Sequence, residues 1–217
     1  MVHGILTEVD GPIGIITLNR PGQYNAFDVD LLKELIAAIA AMENDAAVSV
    51  LVISGTGQSF CSGTVAGLLE SREDASASAD TPALPAMLDA LARTIKPGVA
   101  RVHGSAYGVG AALVAICDIA VATFDAHFTL NEIGHDIPPA LVSTHFVRAI
   151  GERHTRRYML SGESFAAATA YRIGLVHEIV ADEAALDDAV GEIVDALLRN
   201  GPQTLGACKQ AILATRT

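Results

Sequence analysis

The sequence has no tryptophan, little of any other aromatic residue and few basic side chains. Only four Tyr and six Phe occur among 217 residues, and 14 Lys and Arg stand against 25 Asp and Glu, for a formal net charge of -11. A chain this acidic repels the phosphates of nucleic acids and anionic membrane surfaces. It also offers no aromatic platform on which bases could stack. We therefore expect no nucleic-acid partner and no membrane partner.

Long apolar runs, a dividing linker and regularly spaced cysteines are absent as well. No stretch reaches the length of a membrane span, and the N-terminus has no basic flank before a long apolar run. The chain has three cysteines, an odd number, and they are far apart in the sequence: Cys61, Cys117 and Cys208. This spacing disfavours a disulfide framework or a metal site. With 51% hydrophobic residues, the chain can bury one sizeable core. We expect one domain over 1–217, cytoplasmic, with reduced thiols.

Hydrophobic patterning in the first part of the chain predicts a hairpin, a helix and a buried strand. Two β-rich runs at 5–9 and 13–18 flank the turn signal Asp10-Gly11-Pro12. Apolar residues then recur at helical spacing behind Asp28, a good N-cap: Leu32, Leu35, Ile36, Ile39 and Met42. The run at 48–55 is continuously apolar, which indicates a strand covered on both faces.

The middle of the chain alternates between helix and strand patterns. After a Ser- and Ala-rich stretch at 71–80, predicted to be a mobile surface loop, we expect a helix at about 82–95 and strands at 99–103 and 119–122. This order predicts a mostly parallel sheet with right-handed crossovers. Beyond residue 140 the pattern is mainly helical, with a last helix after Gly201-Pro202 and an apolar stripe at Leu186, Val190, Ile193, Val194 and Leu197.

Two glycine-rich turns follow buried strands, at 55–67 and 104–110, and the second opens a short helix through Ala115. Such a turn points main-chain N–H groups outward, near the positive end of the helix dipole. The residues match neither a dinucleotide fingerprint, nor the Gly-Lys-Ser/Thr of a phosphate loop, nor a nucleophile elbow.

Tight strand-to-helix packing explains either glycine turn alone. The presence of two such turns indicates a binding site for a negatively charged oxygen. At the ends of two strands of one parallel sheet, the turns can bring two N–H groups to the same point, which is the geometry of an oxyanion hole.

Short motifs in a fixed order resemble the crotonase, or enoyl-CoA hydratase/isomerase, superfamily over essentially the whole chain. They are Ile15 to Pro21 with Asn25-Ala26, Val52 to Gly55, Phe60 to Gly63, Lys96-Pro97, Gly104 to Gly110 with Cys117 to Ala120, Phe128 to Ile133, and Gly174 to Val176. Within the family, residues 128–165 look most like the hydratases that act on methylglutaconyl-CoA and related acyl-CoAs.

The resemblance implies an α/β fold with a spiral core of ββα units. The core would cover about 1–180, and a C-terminal helical part, shorter than is usual in the family, about 181–217. The resemblance also implies an acyl-CoA or acyl-carrier-protein thioester as partner, and a homotrimer or dimer of trimers. No metal and no cofactor are implied beyond the coenzyme A of the substrate.

Carried over residue by residue, the family pattern places the oxyanion hole at the backbone amides of Thr64 and Val109. Valine stands at 109 where the family favours glycine, which would narrow the space beside the thioester. An enolate places negative charge on the carbonyl oxygen, and two preorganised donors stabilise that charge. The resemblance also implies coenzyme A contacts at Asn25, Ala26, Ser62, Gly63, Val65, Ala66, Gly67 and Gly108.

Family hydratases use two glutamates, and only one is matched here. The first position falls on Ala112, which transfers no proton, and the second is Glu132. Moving one proton needs a single base, whereas adding water is most easily run with two carboxylates. The chain therefore fits the isomerase pattern at least as well as the hydratase pattern.

His135 and Asp136 stand where relatives usually have an apolar residue and glycine. They could supply a second proton-transfer group, or they could be solvated loop residues. The spacing of Glu132 and His135 also occurs in carboxylate-bridged metal sites, but those need a second copy of the motif.

Three functional hypotheses follow, of which the first leads. The chain is an enoyl-CoA hydratase/isomerase-type enzyme with Glu132 as acid/base. Alternatively, because 63–69 faintly resembles crotonases of polyketide β-branching, it decarboxylates a glutaconyl thioester on CoA or a carrier protein. The third hypothesis is a degenerate subunit that binds thioesters without turnover. The cluster Arg153, Arg156 and Arg157 could meet coenzyme A phosphates or a neighbouring subunit.

Overall fold

An antiparallel hairpin at the start of the chain forms one edge of the main sheet. In the computed structural model, which describes residues 4–64, 83–130 and 139–215, β1 (Ile5–Asp10) pairs with β2 (Ile13–Leu18). The pairing ends at Asp10 and Ile13, so Gly11 and Pro12 form the turn, and Gly11 has a positive φ of 54° that suits glycine. The predicted hairpin is confirmed.

Helix α1 (Val29–Asn44) covers the sheet next to the hairpin. Its N-cap is Asp28, whose Oδ1 accepts the Leu31 N–H at 2.8 Å, as the sequence predicted. The predicted apolar stripe is buried at Leu32, Leu35, Ile39 and Met42. Strand β3 (Val50–Gly55) then pairs with β2 in parallel, and its first five residues are buried.

The central elements build the rest of a mostly parallel sheet. In chain order they are α2 (Ala83–Arg93), β4 (Gly98–Val102), β5 (Ser105–Tyr107), α3 (Val109–Ile116), β6 (Ile119–Thr123) and β7 (His127–Thr129). The six-stranded sheet has the order β1-β2-β3-β4-β6-β9, where β9 is Glu178–Val180, and every pair except the hairpin is parallel. The predicted parallel sheet is confirmed; the predicted loop at 71–80 lies outside the described residues.

A second, three-stranded sheet was missed from the sequence. It consists of β5, β7 and β8 (Phe165–Ala166) in the order β5-β7-β8. The second glycine turn follows β4 of the main sheet, as predicted, but it also contains β5, a strand of this small sheet, before α3 begins. Strands of two or three residues are too short to show a period-two pattern, so the sequence gives no signal for them.

The C-terminal half is mainly helical, as predicted. It contains α4 (Ala140–Ser161), α5 (Ala167–Ile173), α6 (Glu183–Leu198) and α7 (Pro202–Ala214). Within α4, Gly151 has φ 77° and ψ 161°, which interrupts the helix. No helix in the described ranges is long and apolar enough to cross a membrane.

The main sheet separates two apolar cores of unequal size. One face packs on α1 to α5, with Phe27, Phe60, Phe128 and Phe146 fully buried. The other face packs on α6 through Val50, Val52, Val99, Val121, Leu186, Val190 and Val194. The predicted apolar stripe of α6 is therefore the cover of the second face.

Lys209 ties α7 to the start of β4. Its ammonium is 2.6 Å from Asp118 Oδ2 and donates to the Lys96 carbonyl at 2.9 Å, and the same Asp118 oxygen accepts the Gly98 N–H at 2.7 Å. Lys209 is 8% exposed. The carboxylate thus fixes a strand and the last helix at one point.

We expect Lys209→Met to lower the free energy of unfolding by about 2–3 kcal/mol, because removing the ammonium leaves the Asp118 charge poorly compensated. This is less than the loss of a fully buried pair, since the Asp118 side chain is 29% exposed. Urea denaturation of the wild type and the variant measures this change in the free energy of unfolding. The matched control is Arg93→Met, which removes a cation that is 80% exposed from its pair with Asp89 and should cost less than about 1 kcal/mol. Equal losses in the two variants would contradict the anchoring role.

The cysteines differ in environment: Cys61 is buried and Cys208 is exposed. Burial raises the pKa of the Cys117 thiol to about 12, with a further rise from the nearby Asp118 carboxylate. At pH 8 roughly one Cys117 thiol in ten thousand is then ionised, and only the thiolate is alkylated. We expect iodoacetamide to modify Cys208 and spare Cys117 in the folded protein, as read by peptide mass spectrometry. Equally fast modification of both would contradict this.

Candidate active site

The two glycine turns lie side by side because the chain after β3 runs parallel to β5. Cys61 and Ala106 form a parallel bridge. The Cys61 N–H donates to the Ser105 carbonyl at 3.0 Å, and the Cys61 carbonyl accepts the Tyr107 N–H at 2.9 Å. This pairing joins the first glycine turn to β5 of the small sheet, three residues before Thr64 and Val109.

Thr64 and Val109 occupy equivalent places along these two paired segments. Each lies three residues beyond its member of the bridge and directly follows a glycine with positive φ, Gly63 at 99° and Gly108 at 51°. Residues with a Cβ rarely adopt such angles, so glycine allows both chains to turn at this point. The structure therefore brings the two predicted amide positions into neighbouring, similarly turned segments.

Helix α3 packs directly against the first turn. A Cβ added at Gly110 would lie 2.4 Å from the Cys61 carbonyl oxygen and 2.8 Å from its Cβ. Only glycine fits this approach. The first residue of α3 is Val109, so its amide lies at the helix N-terminus, where the partial positive charge of the helix dipole is located.

Helix α3 has no acidic or basic side chain (VGAALVAI). Ala112 is fully buried, and its N–H donates to the Gly108 carbonyl at 3.0 Å. Ala112, which the resemblance aligns with the first glutamate of family hydratases, is therefore part of the apolar core.

Cys61, which the sequence indicated only as a reduced thiol, connects two segments of the site. Its Sγ donates to the Asn25 carbonyl at 3.2 Å and accepts the Gly63 N–H at 3.4 Å. The thiol thus bridges the loop after β2 and the first glycine turn. The sequence shows that a glycine follows Cys61 by two residues. It gives no signal for the hydrogen bond between Cys61 and Asn25.

The loop after β2 supports the first turn through Asn25. This residue is fully buried and has a φ of 58°, which asparagine tolerates. Its side-chain amide donates to the carbonyls of Thr56, Ser59 and Phe60 at 2.9, 2.8 and 3.2 Å, and its Oδ1 accepts the Arg20 N–H at 2.8 Å. With these bonds made, the Asn25 side chain holds the loop in place.

Main-chain bonds complete the contact between the loop and the turn. The Phe27 N–H donates to the Gly63 carbonyl at 2.8 Å, and the Ser62 N–H donates to the Tyr24 carbonyl at 2.9 Å. Of the residues predicted to contact coenzyme A, the structure thus gathers Asn25, Ala26, Ser62, Gly63 and Gly108 around Thr64 and Val109. The predicted contacts themselves remain predictions.

Several predicted site residues lie outside the described ranges. These are the acid/base Glu132, the possible auxiliary residues His135 and Asp136, and Val65, Ala66 and Gly67 of the first turn. Within the described residues, no group of three or more His, Cys, Asp or Glu could hold a metal ion.

The arginine cluster lies on α4, beyond its interruption at Gly151. Arg153, Arg156 and Arg157 line an open groove of about 710 Å³ with Glu152 and His154. Two of the arginines have acidic partners, Arg156 with Glu152 at 3.5 Å and Arg157 with Glu163 at 2.7 Å. The hydrogen bond from Arg157 holds the pKa of the Glu163 carboxyl below its usual value. Much of the cluster's charge is therefore balanced locally.

Comparisons with known proteins identify the family of the chain. The family model for enoyl-CoA hydratase/isomerase matches residues 8–217. The chain is 34% identical over 200 residues to the 2,3-dehydroadipyl-CoA hydratase of Escherichia coli, a match that covers 91% of this chain and 77% of that protein. It is 26% identical over 225 residues to the peroxisomal Delta(3,5)-Delta(2,4)-dienoyl-CoA isomerase of Arabidopsis thaliana, covering 98% and 81%.

A solved structure confirms the fold. The crystal structure of an enoyl CoA hydratase/isomerase (crotonase) from Legionella pneumophila superposes with a TM-score of 0.91 at 31% identity, over 100% of this chain and 85% of that one. With the order of strands, the paired glycine turns and the family match over residues 8–217, these findings show that the chain belongs to the enoyl-CoA hydratase/isomerase family and has the crotonase fold.

Proposed function

We propose that this enzyme binds an enoyl-CoA thioester, stabilises its enolate with the backbone amides of Thr64 and Val109, and transfers a proton with Glu132. The observation that carries the proposal is the pairing of Cys61 with Ala106, which sets two turned glycine segments beside each other. Such pairs of main-chain donors suit an oxygen that gains negative charge during the reaction.

The two proposed donors are well placed for preorganisation. The first is held by the bonds of Cys61, Asn25 and Phe27 to its segment, and the second begins α3, which packs against Cys61 through Gly110. Donors that do not have to reorganise when charge develops contribute most to catalysis, and losing one typically lowers the rate by about 10²–10³-fold.

The proposed acid/base is Glu132, on the segment that follows β7. Strand β7 pairs in parallel with β5, and the Gly108 N–H donates to the Thr129 carbonyl at 2.8 Å. Three residues of chain span at most about 10 Å. A carboxylate at residue 132 is therefore within reach of the proposed oxyanion hole, as the proposal requires.

One carboxylate favours double-bond isomerisation over hydration. Glu132 would take a proton from C2 of a 3-enoyl thioester, the resulting dienolate would place its charge on the thioester oxygen, and the same carboxyl would return the proton at C4. The double bond then lies between C2 and C3, and no water is consumed. Ala112, buried where a second glutamate would be needed, supports this one-base scheme.

The residues around the proposed donors would hold the coenzyme A part of the substrate. We assign this role to the loop at Asn25 and Ala26 and to the turns at Ser62, Gly63 and Gly108. Because the Asn25 side chain is engaged within the protein, its loop would contact the ligand through main-chain atoms.

We expect Glu132→Gln to lower kcat for conversion of a 3-enoyl-CoA to the 2-enoyl-CoA by about 10²–10⁴-fold, because the amide cannot exchange the proton. The absorbance of the conjugated product measures the reaction. Glu178→Gln, at an exposed glutamate of β9, is the matched control and should leave kcat unchanged. Unaltered turnover in Glu132→Gln would refute the assignment, and hydration of the 2-enoyl-CoA faster than isomerisation would refute the one-base scheme.

We expect Gly110→Ala to lower kcat by about 10²-fold, because the new Cβ must push α3 away from Cys61 and misplace a donor by about 1 Å. Overpacking should also lower the free energy of unfolding by about 1–3 kcal/mol. The matched control is Gly191→Ala in α6, where a Cβ would meet no described heavy atom within 4 Å. That variant should keep full turnover, and its free energy of unfolding should rise by up to about 1 kcal/mol. Equal turnover in both variants would contradict the proposed role of this approach.

A further inference from the structure

The loop after β2 and the first glycine turn are bonded to each other at consecutive positions. The Tyr24 carbonyl accepts the Ser62 N–H at 2.9 Å, and the Asn25 carbonyl accepts the Cys61 thiol at 3.2 Å. Both acceptors are main-chain atoms, so these bonds depend on the backbone conformation of the loop. A change in that conformation would therefore move the turn.

A third bond reaches the peptide unit of the first proposed donor. The Phe27 N–H donates to the Gly63 carbonyl at 2.8 Å, and Phe27 and Thr64 form an isolated parallel bridge. The Gly63 carbonyl and the Thr64 N–H belong to one planar trans peptide unit, in which they point in opposite directions. The bond from Phe27 therefore sets the direction of the Thr64 N–H. It also polarises the peptide unit, which strengthens that N–H as a donor.

The loop makes these bonds in a backbone conformation that is rare for its residues. Tyr24 and Asn25 have φ values of 50° and 58°, although each carries a Cβ. Residues of this kind stay left-handed only where their surroundings hold them. Asn25 is held by the bonds of its buried side chain, whereas Tyr24 is 53% exposed. A ligand that contacts the loop at Tyr24 would stabilise the conformation on which the bonds to the turn depend.

The proposed function places different parts of one substrate on the loop and on the turn. It assigns the loop to coenzyme A and the Thr64 amide to the thioester oxygen. The hydrogen bonds between loop and turn then join the two binding regions. Coenzyme A takes no part in moving the proton, so its contacts raise kcat only if they improve the geometry around the thioester.

We propose that the coenzyme A part of the substrate raises the rate of the reaction itself, by holding the loop at Tyr24 and, through it, the peptide unit of Gly63 and Thr64. This inference rests on the proposed function and adds a substrate preference to it. Complete coenzyme A thioesters are preferred over short thioesters of the same acyl group, and the preference lies in kcat as well as in KM. Cys61 is a positioning residue, because its thiol bonds to both the loop and the turn.

Steady-state kinetics with two thioesters of one 3-enoyl group test the proposal. One is the coenzyme A thioester, and the other is the N-acetylcysteamine thioester, which keeps the reacting atoms but lacks most of coenzyme A. We expect the wild type to have a kcat about 10-fold lower with the short thioester, besides a higher KM. An equal kcat with a higher KM would show that coenzyme A supplies uniform binding only, and would overturn the proposal.

Removing the Cys61 thiol tests the route between loop and turn. We expect Cys61→Ala to lower kcat for the coenzyme A thioester by about 10-fold, and for the short thioester by less than about two-fold, because the loop then no longer holds the turn. Cys61→Ser keeps a donor for the Asn25 carbonyl and should restore most of the preference. Cys208→Ala, which removes an exposed thiol from α7, is the matched control and should leave both kcat values unchanged.

Two results with these variants would contradict the proposal. An equal loss of kcat with both thioesters in Cys61→Ala would indicate a structural role of the thiol alone. An unchanged preference in Cys61→Ala would show that the effect of coenzyme A does not pass through this contact.

Hydrogen exchange in the wild type gives a reading that does not depend on turnover. We expect coenzyme A, at a concentration that calorimetry shows to be saturating, to slow exchange of the Ser62 and Phe27 amide protons by about 5-fold or more. Mass spectrometry of the peptides that contain them measures the rates. The Asn200 N–H, which donates to the Leu197 carbonyl at the end of α6, is the reference and should not change.

These measurements separate the inference from the function on which it rests. If coenzyme A binds and the enoyl-CoA is converted, but exchange at Ser62 and Phe27 does not change, the inference is wrong and the proposed function stands. If coenzyme A does not bind and the enoyl-CoA is not converted, the proposed function fails, and the inference fails with it.

Discussion

The short parallel pairing of Cys61 with Ala106 is the contact on which the candidate active site depends. Its two main-chain hydrogen bonds join the first glycine turn to the small sheet. Without this pairing, the turn after β3 and the turn before α3 would belong to different layers of the molecule. With it, two chain segments leave the same point in the same direction, and a glycine turns each of them just before the residue whose amide is proposed to act.

The surroundings of this pairing are specified by groups that cannot be exchanged freely. Asn25 satisfies three carbonyls of the segment after β3 from a buried position, and Gly110 leaves room for the Cys61 carbonyl. Each of these residues is small or polar and contacts main-chain atoms of the segment after β3, and it thereby supports the position of an amide elsewhere. In this fold the chemistry is thus proposed to come from the backbone, while side chains determine where the backbone lies.

Patterns of neighbouring residues predicted the helices and strands that are determined by interactions within one short segment. Asp28 and the helical spacing behind it predicted α1, and the continuous apolar run predicted β3 as a buried strand. The motif resemblance identified Thr64 and Val109, and the structure confirms that their segments are neighbours. The small sheet could not be predicted, because its three strands are stabilised by partners far away in the chain rather than by their own pattern.

Two buried polar atoms were beyond sequence reasoning for a related physical reason. Nδ1 of His103, which follows β4, and Oγ1 of Thr123, the last residue of β6, have no hydrogen-bond partner among the described residues. A residue's burial can be predicted from its strand, whereas its unmet hydrogen-bonding capacity depends on the whole assembled edge of the sheet.

The two faces of the main sheet are covered unequally, which bears on self-association as well as on folding. One face packs on a core to which α1 to α5 contribute, whereas the other is covered mainly by α6, with Leu205 of α7, over buried valines that include Val52, Val99 and Val121. Docked on the sheet, α6 keeps this β-branched surface, of the kind that self-associates, out of solvent.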